Sequence, residues 1–287
     1  MDSAAAEGQR AARRDHLPAT LLVGLIVTAT VLLLALLAPA IAPYPYDEMS
    51  ILARLKPPSS AHWLGTDDFG RDVLSRTLIG ARLSLAMGLG ATAISFVLAV
   101  PLGLVAGYVR GWLDEAIMRA MDVLMSFPPI LLGLLILAVT PPSLWKAMVA
   151  VGIVYVPAIV RLTRSVTLEI GQEEFIDAAR ARGDGITYIL FREILPNAWP
   201  PLAVEAGLRV TFAILLGAAL SFLGMGAQPP SSDWGLMISD ARPYLDSAPW
   251  VALAPGIAMS ITVIGINLLG DGLRLVLDPR LRSASSR

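Results

Sequence analysis

Six long apolar runs constrain this chain more than any other feature of its sequence. A membrane-crossing helix needs about 20 mostly apolar residues, because the hydrocarbon core is about 30 Å thick and a helix rises about 1.5 Å per residue. The chain therefore predicts an all-α, polytopic membrane protein with six transmembrane helices. The six runs lie near Ala19–Ile41, Leu83–Tyr108, Met121–Thr140, Trp145–Leu162, Pro200–Leu223 and Val251–Leu277.

The composition supports a membrane protein and excludes several other classes. Of the 287 residues, 55% are hydrophobic and 16% are charged, whereas a soluble domain has about 25% charged residues. A net charge of −1 gives no basic surface for nucleic acid. With no cysteine and two histidines, disulfides, thiolate metal sites and histidine-rich metal sites are excluded. We therefore expect no metal and no cofactor bound by this chain itself.

The Lys and Arg distribution predicts how the chain is oriented in the membrane. Arginines precede the first apolar run, but that run is longer than the 7–15 residues of a cleaved signal, so we expect an uncleaved first span. With the N-terminus in the cytoplasm, cytoplasmic segments hold fourteen Lys and Arg residues and outer segments hold seven, which favours both termini inside. The predicted organisation is a cytoplasmic tail at 1–18, a first helix at 19–41, a periplasmic segment at 42–82, a five-helix core at 83–277 with a cytoplasmic loop at 163–199, and a cytoplasmic tail at 278–287.

The loop between the fourth and fifth runs is amphipathic rather than apolar. Phe175, Ile176 and Ala179 recur at roughly helical spacing with charges between them, and Gly183 can end that helix with a left-handed residue. A second helical stretch over 186–195 would return the chain to the membrane. A small Ala178–Ala179 patch suits docking into a groove on another protein. An interfacial helix on lipid headgroups has a similar pattern, and the residue pattern leaves both interpretations open.

Two charged residues and one hydroxyl within the fifth run are candidates for the transport pathway. Glu205 and Arg209 stand at i,i+4 and can pair on one helix face. Ionisable side chains at membrane depth indicate a pathway, although a structural pair with Arg209 reaching the interface is the interpretation that we favour. Ser221 is a further candidate, but hydroxyls in such helices often bond their own backbone.

Two segments outside the predicted spans contain notable polar or aromatic residues. Asp67, Asp68, Arg71, Asp72 and Arg76 form a mixed-charge cluster. We interpret it as a structural plug held by ion pairs, with contact to another protein as the alternative; the arginines disfavour an acidic metal site.

Between the fifth and sixth runs, Trp234 lies in a Pro- and Ser-rich segment that predicts a loop and a short interfacial helix. This segment is a second candidate surface for a partner.

The loop between the fourth and fifth runs resembles the EAA–G–LP loop of ABC importer permeases. Asp177, Ala178 and Ala179 are followed after three residues by Gly183, and then by Leu195 and Pro196. In that family the loop forms a coupling helix that sits in a cleft of the cytoplasmic ATPase. Asp177 stands where the family usually has glutamate, and Glu193 where it has isoleucine. The resemblance assigns ATPase coupling to Glu174, Asp177, Ala178, Ala179, Arg180, Gly183, Leu195 and Pro196.

Five further segments are similar to the C-type subunit of dipeptide, oligopeptide and nickel permeases. This resemblance implies a type I ABC importer permease (MetI-like) fold and import of di- or oligopeptides, with nickel chelates, glutathione or opines as alternatives. It also implies a homologous second permease, two ATPase subunits that bind ATP and Mg²⁺, and a periplasmic binding protein, for which Asp67, Arg71, Asp72 and Trp234 are candidate contacts. The five segments are His62–Arg76, Gly80–Leu85, Leu220–Gly226, Asn267–Arg274 and Leu277–Arg282.

Competing functions lack their sequence signatures. There is no G-x-x-x-x-G-K-[ST] motif, so we expect a non-catalytic subunit in the inner membrane whose ATP is bound by other chains. An intramembrane enzyme would need a motif such as H-E-x-x-H or G-x-S-x-G, and neither occurs. A secondary transporter usually has more spans and internal repeats. In the expected mechanism, ATP closes the ATPase dimer, the helix within 173–185 moves with it, and the fourth and fifth spans transmit the motion.

Overall fold

The computed structural model describes residues 18–139 and 141–277, and helices dominate these residues. The tails at 1–17 and 278–287, with part of the last matching segment, lie outside the described residues, as does Thr140 at the end of the third predicted span. The helices are α1 (Ala19–Ile41), α2 (Val73–Val109), α3 (Gly111–Met125), α4 (Pro129–Leu137), α5 (Leu144–Ile170), α6 (Glu174–Ala181), α7 (Ile186–Phe222), α8 (Trp234–Ala241) and α9 (Trp250–Leu277).

The third predicted span is broken rather than continuous. In the described residues, five helices are long and apolar enough to cross a membrane: α1, α2, α5, α7 and α9. α3 and α4 pass the same test only together, and their axes differ by 91°. The break falls at Pro128 and Pro129, because proline lacks an N–H and disfavours a helical residue before it. The predicted count of six holds if this bent pair is one span.

Several helix boundaries differ from those predicted. α2 begins at Val73 instead of Leu83, because the Asp72 carboxylate caps it: Oδ2 accepts from the Ser75 N–H at 2.8 Å. The segment predicted as periplasmic therefore contains the first turns of a long helix. α5 continues to Ile170 and α7 already begins at Ile186, so the connecting loop is shorter than 163–199.

Small residues set how closely the helices approach. α2 packs along α5 and α7 at the centre of the bundle. A Cβ on Gly103 of α2 would lie 2.5 Å from the Thr163 side chain of α5. α1 packs on α9 at the edge, where a Cβ on Gly24 would lie 2.2 Å from the Leu269 backbone nitrogen. Glycine at these positions therefore allows the paired helices to approach each other closely.

Candidate functional site: the α6 loop and an intramembrane arginine

Helix α6 has one face inside the protein and one face outside. Ile176 and Ala179 are fully buried and pack with Leu104 of α2 and with Ile189 and Ile194 of α7. On the other side, Ala178 is exposed, as are Glu174 and Asp177 in the first turn. The small-residue patch predicted from the sequence is therefore split, because only Ala178 faces outward and Ala179 belongs to the core.

Arg180 attaches α6 to the end of α2. Its Nε donates to the Tyr108 hydroxyl at 3.2 Å, and the guanidinium lies 5.1 Å from the centre of that ring. Its Nη1 donates to Asp177 Oδ1 at 2.9 Å. The hydrogen bond that Arg180 donates to the Tyr108 hydroxyl raises the pKa of Arg180 above its usual value, so the guanidinium stays charged. Together with Leu104, this contact links α6 to the second span, which the sequence-based mechanism did not include.

Gly183 ends α6 in a left-handed conformation. Its φ is +82°, and the Asp184 N–H donates to the Ala179 carbonyl at 3.1 Å, as in a Schellman cap. A Cβ at this position would meet no atom within 4 Å. The predicted cap is thus confirmed, and glycine serves the backbone conformation rather than a close contact within this chain.

Arg182 links the end of α6 to the start of α7. Its Nη2 lies 2.8 Å from Asp184 Oδ2 and 3.2 Å from Glu193 Oε1. Glu193 lies in a π-helical turn, Ile189–Ile194, from which Ile189, Leu190 and Ile194 point into the core. The glutamate that departs from the family pattern therefore has a partner within the loop. Leu195 is half-buried and Pro196 is exposed, and neither interrupts α7.

Glu205 and Arg209 pair as their spacing predicts, near the middle of the Leu195–Phe222 part of α7. Arg209 Nε donates to Glu205 Oε1 at 2.5 Å, and both side chains are mostly buried. The guanidinium lies 5.4 Å from the ring centre of Tyr155 and 5.7 Å from that of Phe212. The Tyr155 hydroxyl donates to the Phe212 carbonyl at 3.1 Å, which fixes this ring between α5 and α7.

A cavity of about 290 Å³ opens beside this pair. It lies between the α3–α4 break, α5 and α7, and Arg209 is the one charged residue among its described lining residues. Ser221, the third pathway candidate, is fully buried and does not line this cavity. Instead its hydroxyl lies against Gly226 in the turn after α7, where a Cβ would approach within 2.0 Å. The structure brings Glu205 and Arg209 together and places Ser221 elsewhere.

Three charged residues are buried and paired where the α1–α2 segment (residues 42–72) meets α2: Asp67, Arg71 and Arg76. Asp67 Oδ2 lies 2.7 Å from Arg71 Nε and 3.4 Å from Arg76 Nε. Arg76 also donates to the carbonyls of Tyr46, at 3.1 Å, and Ser231, at 3.0 Å. One guanidinium thus joins the α1–α2 segment, α2 and the loop before α8, which is the structural role that we favoured.

Two carboxyl groups beside this ion-pair network, those of Asp68 and of Asp240 in α8, are less well stabilised in their charged form. Burial raises the pKa of Asp68, and the neighbouring Asp67 raises it further. Burial likewise raises the pKa of Asp240 in α8. Both carboxyls lie near Arg71, which acts in the opposite direction by attracting their charge. The cluster is therefore strongly paired at Asp67 and weakly paired at its edge.

Trp234 is part of the core and does not anchor at an interface, contrary to our prediction. It is 1% exposed, and its Nε1 donates to the Thr77 carbonyl at 2.9 Å. Asp233 caps α8 through Leu236 N–H, and burial raises the pKa of this carboxyl. The indole is large and apolar, so burial between α2 and α8, with its N–H bonded to a carbonyl, stabilises it more than contact with lipid headgroups would.

The four predicted contacts for a binding protein therefore lie inside the protein in this conformation. Asp67, Arg71, Asp72 and Trp234 are each at most 3% exposed. Among its exposed residues, this region has large apolar ones that were not predicted as contacts: Ile51 and Leu52 are 90% and 88% exposed, and Trp63 is 69% exposed. They follow no helical or strand period, so no pattern in the sequence marked them.

Two family descriptions match this chain. Residues 99–283 match the binding-protein-dependent transport system inner membrane component. Residues 20–58 match the N-terminal TM domain of oligopeptide transport permease C. Together these ranges cover α1 and the bundle from the second half of α2 onward.

Similar proteins cover nearly the whole chain. The dipeptide transport system permease protein DppC of Alkalihalophilus pseudofirmus is 46% identical over 91% of this chain and 86% of its own. The glutathione transport system permease protein GsiD of Pectobacterium atrosepticum is 45% identical over 84% of this chain and 78% of its own. The di/tripeptide transport system permease protein DppC of Pseudomonas aeruginosa is 42% identical over 91% of this chain and 88% of its own.

A solved structure has a similar fold. It shows the MetNI methionine ABC transporter in inward-facing conformations, and it aligns with a TM-score of 0.59 at 22% identity over 72% of this chain and 96% of that chain. The fold is thus that of an ABC transporter permease. On these matches and on the helical bundle with its attached α6 loop, this chain belongs to the family of binding-protein-dependent transport system inner membrane components.

Proposed function

We propose that this chain forms one half of the translocation pathway of an ATP-driven peptide importer, and that it performs no catalysis itself. Its partners would be a homologous second permease, two ATPase subunits that hold ATP and Mg²⁺, and a soluble binding protein. The observation that carries the proposal is α6, a short helix with an exposed small residue, Ala178, whose opposite face is packed into the bundle. A partner protein bound at the exposed face of such a helix can therefore move the membrane helices against which its buried face packs.

The charge on α6 favours a protein partner over lipid headgroups. Glu174 and Asp177 are exposed in its first turn, whereas helices on the anionic inner leaflet present basic residues there. Arg180 is turned towards Tyr108. We therefore place α6 in a groove of the ATPase, with Ala178 at the closest approach and the carboxylates at the rim.

The contacts of α6 indicate how its motion would reach the membrane. Its buried face touches Leu104 of α2 and Ile189 and Ile194 of α7, and α5 leads into it. The second span therefore joins the fourth and fifth in transmitting the ATPase movement. Because α2 runs without interruption from Val73 to Val109, a rigid displacement at Tyr108 would tilt its far end.

Peptides are the substrate class that we propose, because the relatives include permeases of dipeptide and di/tripeptide systems over most of their length. Glutathione, a tripeptide, is the second candidate because a permease of a glutathione system is 45% identical. Both ligands carry free carboxylates, so a pathway that accepts one has chemistry suited to the other.

The proposed orientation puts both termini and α6 in the cytoplasm. The chain has no cysteine, so single cysteines can be introduced without background. Ala178→Cys and Ser60→Cys both lie at exposed positions, and they form a matched pair on opposite sides of the proposed membrane. In intact cells, a membrane-impermeant maleimide should label Ser60→Cys and leave Ala178→Cys unlabelled until the membrane is opened. Labelling of Ala178→Cys in intact cells would refute the ATPase contact.

Transport is tested by deleting the gene and restoring it beside its neighbouring transport genes. Uptake of radiolabelled alanyl-alanine should disappear on deletion and return with the intact gene. If alanyl-alanine and glutathione uptake are both unchanged by the deletion, the peptide assignment is wrong.

A further inference from the structure

We propose that the Arg209 guanidinium is a carboxylate-binding subsite within the transport pathway, which takes the C-terminal carboxylate of the peptide. This inference deepens the proposed function and rests on it for the identity of the peptide. It begins from an asymmetry in the ion pair with Glu205. Only Nε of Arg209 is engaged, and the described residues provide no acceptor for its two terminal nitrogens.

A purely structural ion pair would satisfy the guanidinium more completely. Arginine and carboxylate groups commonly pair through two parallel hydrogen bonds, and Arg164 in this chain does so: its Nε and Nη2 each lie 2.6 Å from an oxygen of Asp114. Arg209 keeps Nη1 and Nη2 open although it is mostly buried in a membrane bundle. Open donors at membrane depth require an acceptor, from water or from a ligand.

The surroundings of Arg209 orient its open side. The Tyr155 and Phe212 rings lie 5.4 and 5.7 Å from the guanidinium carbon, and Glu205 holds Nε. Tyr155 is itself fixed by its bond to the Phe212 carbonyl. Because a guanidinium is planar, fixing one edge and its flanks fixes the direction of the remaining donors. Glu205 and Tyr155 are thus positioning residues, and Arg209 contacts the ligand.

The adjoining cavity has the size and lining of a small-ligand site. Its volume is about 290 Å³, close to the lower end of the range of about 300–1,000 Å³ found for small-molecule sites. Its other described lining residues are apolar or aromatic, and they include both sides of the α3–α4 break. An apolar enclosure with one cation suits a peptide's side chains and its terminal carboxylate together.

Direct binding can be tested on the purified complex with its partner chains but without the binding protein, so that the binding protein's own specificity does not intervene. An arginine-specific reagent, phenylglyoxal, is applied, and modification of each arginine is followed by mass spectrometry. Alanyl-alanine should slow modification of Arg209 severalfold, and alanyl-alanine amide, which lacks the carboxylate, should not. Arg119, whose side chain is 77% exposed on α3, is the internal control and should be unaffected. Equal modification of Arg209 with and without the dipeptide would overturn the subsite.

Uptake in proteoliposomes that contain the full complex gives the second measurement. Arg209→Gln should lower alanyl-alanine uptake by about tenfold or more, since a hydrogen bond to a charged group contributes about one to two powers of ten. Arg209→Lys should restore part of the loss, and Arg119→Gln should match the wild type. Wild-type uptake in the Arg209→Gln variant would refute the subsite. If the dipeptide protects Arg209 from phenylglyoxal but the wild-type complex takes up no alanyl-alanine, the subsite stands and peptide import is refuted.

Discussion

Two charge-rich stretches of this protein resemble each other in sequence and differ in structure. The first, Asp67–Arg76, and the second, Glu173–Arg182, each carry acidic and basic residues a few positions apart. In the first, Asp67, Arg71 and Arg76 are at most 3% exposed and satisfy one another. In the second, the charges are exposed and the apolar residues Ile176 and Ala179 are buried.

The difference shows that charge density does not by itself mark a docking surface. What separates the two stretches is where their hydrogen bonds lead. Arg76 donates to backbone carbonyls of two distant segments, so its guanidinium stabilises the packing of these segments against α2. Asp177 has an exposed carboxylate with one partner, Arg180. We conclude that the first stretch is structural and that the second presents a surface.

The largest effect on stability should follow removal of the central carboxylate of the first stretch. Asp67→Ala would leave Arg71 and Arg76 buried without their shared partner, and breaking a buried pair costs about 3–5 kcal/mol. We expect little folded protein and a much lower thermal midpoint for what remains, as measured by size-exclusion chromatography after heating. A wild-type midpoint would show that the cluster is not structural.

Asp68→Ala is the matched control at the edge of the same cluster. Asp68 lies 3.9 Å from Arg71, and burial raises its pKa, so its anion costs stability at neutral pH. Protonation of Asp68 favours the folded state, and this contribution is lost as the pH rises through its raised pKa. We therefore expect no loss or a small gain in stability for Asp68→Ala at neutral pH. As the pH is lowered through the raised pKa of Asp68, the stability of the wild type should rise relative to that of the variant.

Tryptophan at two neighbouring positions of α6 should separate surface from core. Ala179→Trp would force a large side chain among Leu104, Ile176 and Ile189, and overpacking costs about 1–3 kcal/mol or more. Ala178→Trp points outward and should leave the thermal midpoint unchanged while uptake and co-purification of the ATPase are lost. If both variants lost the ATPase and neither lost stability, the division of α6 into two faces would be wrong.

A smaller effect is expected from the link between α6 and α2. Tyr108→Phe keeps the ring beneath Arg180 but removes the hydroxyl that Nε contacts at 3.2 Å. The loss should be about 0.5–1 kcal/mol, since the site is partly exposed. If α2 transmits motion, ATP hydrolysis per imported alanyl-alanine should rise, while the assembled complex is recovered in normal yield. An unchanged ratio would confine transmission to α5 and α7.

The smallest effect should come from the ion pair that joins the end of the second stretch, at Arg182, to Glu193 of α7. Glu193→Ala removes the contact with Arg182 Nη2 at 3.2 Å, but Asp184 remains at 2.8 Å. We expect the thermal midpoint to stay within about 2 °C of the wild type, because exposed pairs contribute little. A drop as large as that of Asp67→Ala would remove the contrast between the two stretches.

The sequence predicted the membrane class, the general helix positions and the left-handed cap at Gly183, because these depend on local properties: apolar run length, helical period and the φ that glycine permits. It also predicted the i,i+4 pair of Glu205 and Arg209. It did not predict that α2 begins at Val73, because that depends on which of several aspartates acts as the cap. Nor did it predict the 91° break between α3 and α4 as a change in direction.

The candidate site divides in the same way. The α6 loop was found from its amphipathic pattern and its resemblance to a family motif, both of which are one-dimensional signals. The burial of Ala179 and Trp234 was missed, because burial depends on which distant helix lies opposite. The aromatic pair around Arg209 was missed for the same reason, since Tyr155 and Arg209 come from different helices.

The sequence by itself determined that this chain is a helical membrane protein with a polar helix connecting two of its spans. Hydrophobic run length and helical period act within a few turns, and so they can be read along the chain. The tertiary structure alone decided which charges are buried, which face of α6 is open and that Arg209 keeps two donors beside a cavity. These properties depend on contacts between residues far apart in the chain, and no local pattern encodes them.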